Sequence, residues 1–195
     1  MHPVLKSDIE SLAHRVSVLS KEEAQIHPEP GRGRWSAQQV IEHLILTYTF
    51  TSNEVAKQVR KGKPTRDRRD LLNFILRIQT IGLGIMPYGI PSILAFRPIE
   101  YTPESGSEIA VRLLEAAESM DRLLVSARQL LGIQTCGEHP FYGPMRVDEW
   151  RRYHSVHARH HLSQLVNAIS YAQTAGTHEE MHMEDFTTLG IPDEA

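Results

Sequence analysis

Cysteine is almost absent from this sequence: Cys136 stands alone among 195 residues. An intrachain disulfide is therefore excluded, and with it the cross-linked framework of a small secreted domain. The N-terminus, "MHPVLKSDIESLAHR", acquires acidic residues within its first ten positions and lacks the basic, apolar, small-residue succession of a secretory signal, so the expected setting is reducing and cytoplasmic. Long apolar runs are missing too. The most apolar region, Leu71 to Phe96, is broken by Arg77, three glycines and two prolines, and reads as buried packing or a pocket wall rather than a membrane span. Charge of one sign is not in excess: 21 basic against 24 acidic residues leave a net charge of −3, without the clustered positive charge a nucleic-acid surface needs. The densest basic patch, Arg60 to Arg69, reads as a solvated helix end and loop. No glycine-rich phosphate loop follows a strand, no G-x-S-x-G elbow occurs, and the four long helices carry none of the Glu-x-x-His pairs of di-iron bundles, which removes support for nucleotide, serine-hydrolase and di-iron chemistry.

What is present is helical periodicity. A hydrophobic content of 41% suffices for one sizeable core. Apolar residues at mixed three- and four-residue steps predict a first helix from about Pro3 to Ser20. Ser36, with Gln39 three positions on, predicts a capping box that opens a long helix from about Ala37 to Lys61. A helical piece around Asp70 to Thr80 belongs to an irregular crossover that runs to Pro103. A third long helix is expected from Ser107 to Leu131, ended by Gly132, and a fourth from about Val147 to Thr174, stopped by Gly176. Period-2 alternation is absent. These elements predict an all-α four-helix bundle whose long crossover leaves the second and third long helices parallel. Residues 1–175 would form the single domain and residues 176–195 a polar tail.

The last long helix carries four histidines within eight residues, His154, His157, His160 and His161. At about 100° per residue, His157 and His161 lie about 40° apart in adjacent turns, a spacing that suits two ligands of one ion. His154 falls on the same side one turn earlier, and His160 turns outward. His154 and His161 lie inside the apolar stripe and His157 at its edge, where rings without partners would be costly. Bundle sites are built from facing helices, so a third ligand is sought elsewhere, and His43, on the flank of the second helix, is the best placed. Three neutral imidazoles accept zinc, nickel, iron, manganese or copper.

"GRWSAQQVIEHL" (Gly33 to Leu44) and "HARHHLSQL" (His157 to Leu165) together resemble the DinB/YfiT-like superfamily of metal-dependent bacterial proteins. The matching residues are Trp35, Ser36, His43, His157, His161 and Gln164, and "HPFYGPMRVDEW" (His139 to Trp150) is similar to the linker of one subgroup. The resemblance implies an up-down-down-up bundle, often a homodimer, in which His43, His157 and His161 hold one divalent ion, zinc or nickel foremost. It also implies open coordination positions for water or a small-molecule substrate, and thiol S-transfer with low-molecular-weight thiols such as bacillithiol or mycothiol, or hydrolysis. His154, His160, Gln164 and His139 would lie around the ligands or in the pocket; no catalytic residue is assigned. The reading from another class is a noncatalytic, metal-stabilised binding or dimerisation module.

Other signals are weaker. "HEEMH", His178 to His182, matches the H-E-x-x-H pattern of zinc proteases, but it follows Gly176, lacks an apolar lead-in and has no later histidine. Cys136 reads as an inert small residue, and Tyr88, Tyr101, Phe141 and Tyr142 as packing or pocket wall.

Overall fold

The computed structural model describes residues 1–29, 34–66, 70–87, 94–99 and 101–187, with the backbone alone for 176–187. It is mostly helical, with one small hairpin. Helix α1 (Pro3–Val16) buries Leu5, Ile9, Leu12, Ala13 and Val16 along one stripe. It stops short of Ser20 because Ser20 caps the next turn instead: its hydroxyl accepts from the Glu23 N–H while the Glu23 carboxylate accepts from the Ser20 N–H, opening a single 3₁₀ turn, Glu23–Gln25. Helix α2 (Ala37–Lys61) has the expected bounds, with the Ser36–Gln39 capping box at its start and Gly62 in the left-handed region at its end.

In the crossover, Asp70 and Asn73 form a capping box for α3 (Leu71–Arg77), which runs on into a π-helical stretch, Ile78–Gly82. A 3₁₀ turn, Leu94–Phe96, follows. Helix α4 (Gly106–Leu131) starts under the end of α1, where a Cβ on Gly106 would lie 1.9 Å from the Val16 carbonyl oxygen. No other residue fits there. A sequence without visible period-2 alternation nonetheless forms a hairpin, β1 (Thr135–His139) with β2 (Gly143–Arg146), antiparallel and irregular between Thr135 and Gly137. Two short strands buried on both faces leave no alternation to read. Helix α5 (Val147–Thr187) continues past Gly176, where the sequence reading ended it. One interior glycine costs a helix only about 1 kcal/mol relative to alanine, and the Glu-, Met- and His-rich stretch that follows carries no proline before Pro192.

Specific contacts orient the long helices. The Gln38 side chain near the start of α2 donates to the Thr102 carbonyl and accepts from the Glu104 N–H just before α4, Glu42 pairs with Arg112, and Thr65 bonds Thr135 beyond the other ends. Start meets start and end meets end, so α2 and α4 run in the same direction. Arg151 and Asp148 of α5 pair with Asp121 and Arg128 of α4, the opposite sense. Asp8 accepts from Ser155, which sets α1 against α5, and the α-amino group of Met1 reaches Asp121 of α4. The core between these helices holds Leu5, Ile9, Ile41, Leu44, Tyr48, Leu113, Met120, Leu124 and Trp150.

Candidate metal centre

His43, His157 and His161 come together across α2 and α5. Each is buried, 5–6% exposed. The His157 Nε2 lies 3.1 Å from the His43 Nε2 and 2.9 Å from the His161 Nε2, and one nitrogen from each ring can be enclosed within 4.8 Å. For ions with metal–nitrogen bonds of about 2.0–2.1 Å, neighbouring donors stand about 2.9 Å apart in octahedral and about 3.3 Å apart in tetrahedral geometry, so the spacing fits a shared ion.

The outer nitrogens decide which atoms are free. His43 Nδ1–H donates to the Phe96 carbonyl at 2.7 Å, and His161 Nδ1–H donates to the Gln164 side-chain oxygen at 2.8 Å. A carbonyl oxygen can only accept, so both rings carry their proton on Nδ1 and turn an Nε2 lone pair inward. The His157 Nδ1 is buried without a partner. Two inward lone pairs facing a third ring nitrogen leave at most one hydrogen bond to share among them, whereas a cation satisfies all three.

All three imidazoles are neutral at pH 7. Burial is the main cause for each: it lowers His43 against the raising effect of the Phe96 bond, holds His157 well below the usual value, with His161 and His43 adding to it, and brings His161 to about 3. No carboxylate joins the cluster among the described residues. Glu42, next to His43 in sequence, is committed to Arg112.

Three features surround the rings; the sequence motif names Trp35 alone among them. The Phe96 carbonyl comes from the crossover and has no sequence signature, because any residue supplies a carbonyl. The half-buried Trp35 ring lies 5.0 Å from that of His43 and 6.3 Å from that of His161, nearly parallel to the latter. Tyr153 stacks on His157 at 5.3 Å. The capping box at Ser36 positions both Trp35, just before α2, and His43, two turns into it.

The remaining candidates separate. Gln164 sits at the His161 ring. His160 is half-buried, its ring 5.1 Å from that of His161. His154 lies outside the three-ring group: its Nε2 shares a hydrogen bond with the Thr51 hydroxyl, its ring is parallel to Trp150, and burial takes it to about 3. His139 belongs to the hairpin turn, where its Nδ1 accepts from the Phe141 N–H. It is packed against Tyr142 and Tyr153. Tyr142 is also packing, its hydroxyl bonded to Thr80. Cys136 is buried, its thiol pushed up to about 12 chiefly by burial, which fits an inert side chain. Tyr88 lies outside the described residues, as do the side chains of His178 to His182.

No helix among the described residues is long and apolar enough to cross a membrane. No curated protein and no solved structure matches the chain. The profile of the DinB superfamily matches residues 5–165, a span that begins in α1 and takes in Trp35, His43, His157, His161 and Gln164. With more than half of its length matched in this way, the chain belongs to the DinB superfamily.

Proposed function

We propose that this protein is a metal-dependent enzyme in which His43, His157 and His161 hold one divalent ion, zinc or nickel foremost, within an up-down-down-up four-helix bundle formed by residues 1–175. The proposed reaction is S-transfer to or from a low-molecular-weight thiol, or hydrolysis, on a small-molecule substrate. The observation that carries the reading is the convergence of three Nε2 atoms, two of them made acceptors by bonds on the far side of their rings. The helix directions given above support the bundle, and family membership supports the class of chemistry.

When bound, a zinc-like ion on three neutral ligands keeps its full positive charge and acidifies a water or thiol. The chain contributes orientation and exclusion of solvent. The Phe96 carbonyl and Gln164 fix two rings, Tyr153 stacks on the third, and Trp35 forms the half-buried wall beside His43 and His161. Three protein ligands leave room for an exogenous group.

The rival reading, a structural clamp between α2 and α5, differs in whether a small ligand can reach the ion. Protein reconstituted with cobalt is expected to develop a near-ultraviolet sulfur-to-cobalt charge-transfer band on addition of a small thiol, and His157→Ala is expected to abolish it. A cobalt-loaded protein whose spectrum ignores thiol, but which melts at lower temperature once the cobalt is chelated, would establish the clamp.

A further inference from the structure

Helix α5 carries one spacing twice. His157, His161 and Gln164 stand at i, i+4 and i+7, and so do His178, His182 and Asp185. The first set shows what this spacing does on this helix: the Nε2 atoms of His157 and His161 lie 2.9 Å apart, and the side-chain oxygen at the third position accepts from the Nδ1–H of the second histidine. A helix ending at Gly176 would leave the second set in an irregular tail. Because α5 instead runs through Thr187, His178 and His182 occupy one face of it, about 40° and about 6 Å apart, with Asp185 about 20° from His178. Tyr171 and Thr174, two turns and one turn earlier on that face, are exposed.

Charge favours a cation at the second set. No lysine or arginine follows Arg159, whereas Glu179, Glu180, Glu184 and Asp185 fall among the two histidines, so the segment concentrates divalent ions beside a pair of imidazoles. Where the first set has the carboxamide of Gln164, the second has the carboxylate of Asp185, a ligand in its own right for zinc-like ions. His178 stands about 32 Å along α5 from His157, beyond the reach of His43. Two imidazoles and one carboxylate then leave the rest of the coordination sphere to water, and hold an ion less tightly than three buried imidazoles do.

We propose that His178, His182 and Asp185 form a second, weaker site for a divalent ion such as zinc, nickel or copper on the last turns of α5. The inference rests on the spacing that the first set displays, not on an ion being held there. An ion at the second site joins adjacent turns beyond Gly176 and so holds that segment helical. It exchanges with solvent and is removed by gel filtration, so it does not add to the tightly bound metal of the chain.

Isothermal titration calorimetry of the metal-free full chain with zinc tests it. Two events are expected. The weaker one should survive in His157→Ala/His161→Ala and be lost in His178→Ala/His182→Ala, a variant that leaves the tighter event unchanged. Asp185→Ala should weaken the second event by at least about tenfold. His182→Ala/Met183→His keeps two histidines but sets them about 140° apart on a helix, and is expected to abolish it. A titration without the weaker event, a weaker event that persists in His178→Ala/His182→Ala, or one that His182→Ala/Met183→His retains would overturn the proposal, the last because chelation would then be indifferent to helical register. Absence of the tighter event alone, with the weaker one kept and lost in His178→Ala/His182→Ala, would count against the first site and support this one.

Discussion

Replacing His157 by alanine is expected to lower divalent-metal affinity by more than about 100-fold, the upper end of what loss of a residue behind a ligand costs. His157 is the ring the other two meet: its Nε2 is the common neighbour of those of His43 and His161, at 3.1 and 2.9 Å. The same variant should change the melting temperature of metal-free protein far less than that of metal-loaded protein. Without an ion, His157 is a buried imidazole with an unpartnered Nδ1, so its removal relieves a desolvated polar group while leaving a cavity, two opposing effects. With an ion, binding to the folded state alone adds stability according to affinity and free concentration. Competitive chelator titration and paired melts with and without zinc measure both quantities. Equal destabilisation in the two states, with affinity unchanged, would remove His157 from the site.

Arg77→Met is expected to destabilise the protein by about 3 kcal/mol, as breaking one side of a buried ion pair does, and to lower the melting temperature by about 6–12 °C for a chain of this size. The Arg77 side chain is 11% exposed and that of Glu149 9%. Its guanidinium reaches three acceptors at once, joining α3 to the hairpin and to the first turn of α5. Arg77→Lys should recover only part of the loss, because an ammonium group cannot reproduce the planar fork. Glu149 gives the pH dependence. Burial pushes its carboxyl up, but the Arg146 side chain and N–H and the Arg77 guanidinium outweigh this and hold it below 4.5. Folding therefore favours the carboxylate: its contribution is complete above the unfolded carboxyl pKa of about 4.3 and is lost as pH falls through the lower folded value. The stability difference between wild type and Glu149→Gln, measured by urea titration, should be constant from neutral pH to about pH 5 and shrink below about pH 4. A difference that grows on acidification would contradict this sign.

Much of the arrangement is legible from local rules. Ser36 with Gln39 marks the start of α2, and Gly62 and Gly132 mark helix ends. The four-residue step from His157 to His161 is enough to put both rings on one face of α5. His43 could be placed only at a flank, because the crossover that buries its outer side is made of irregular backbone. The features that the sequence does not reveal have separate causes. The hairpin has strands too short and too buried to alternate, and the Phe96 carbonyl is a backbone group. His154 and His139 show the converse. Each looks like a site residue, and each makes its side-chain hydrogen bond outside the three-ring cluster, with Thr51 in one case and the Phe141 N–H in the other, while both rings pack on Tyr153, which stacks on His157.

Elemental mass spectrometry of untagged protein decides whether His43, His157 and His161 hold one metal ion. Wild type is compared with His157→Ala/His161→Ala and with a chain ending at Ala175, which removes the His178 and His182 pair. One divalent ion per chain is expected in wild type and in the shortened chain, and none in the double variant. No metal in wild type after reconstitution with zinc or nickel, or metal that disappears with residues 176–195 and survives in the double variant, would contradict it.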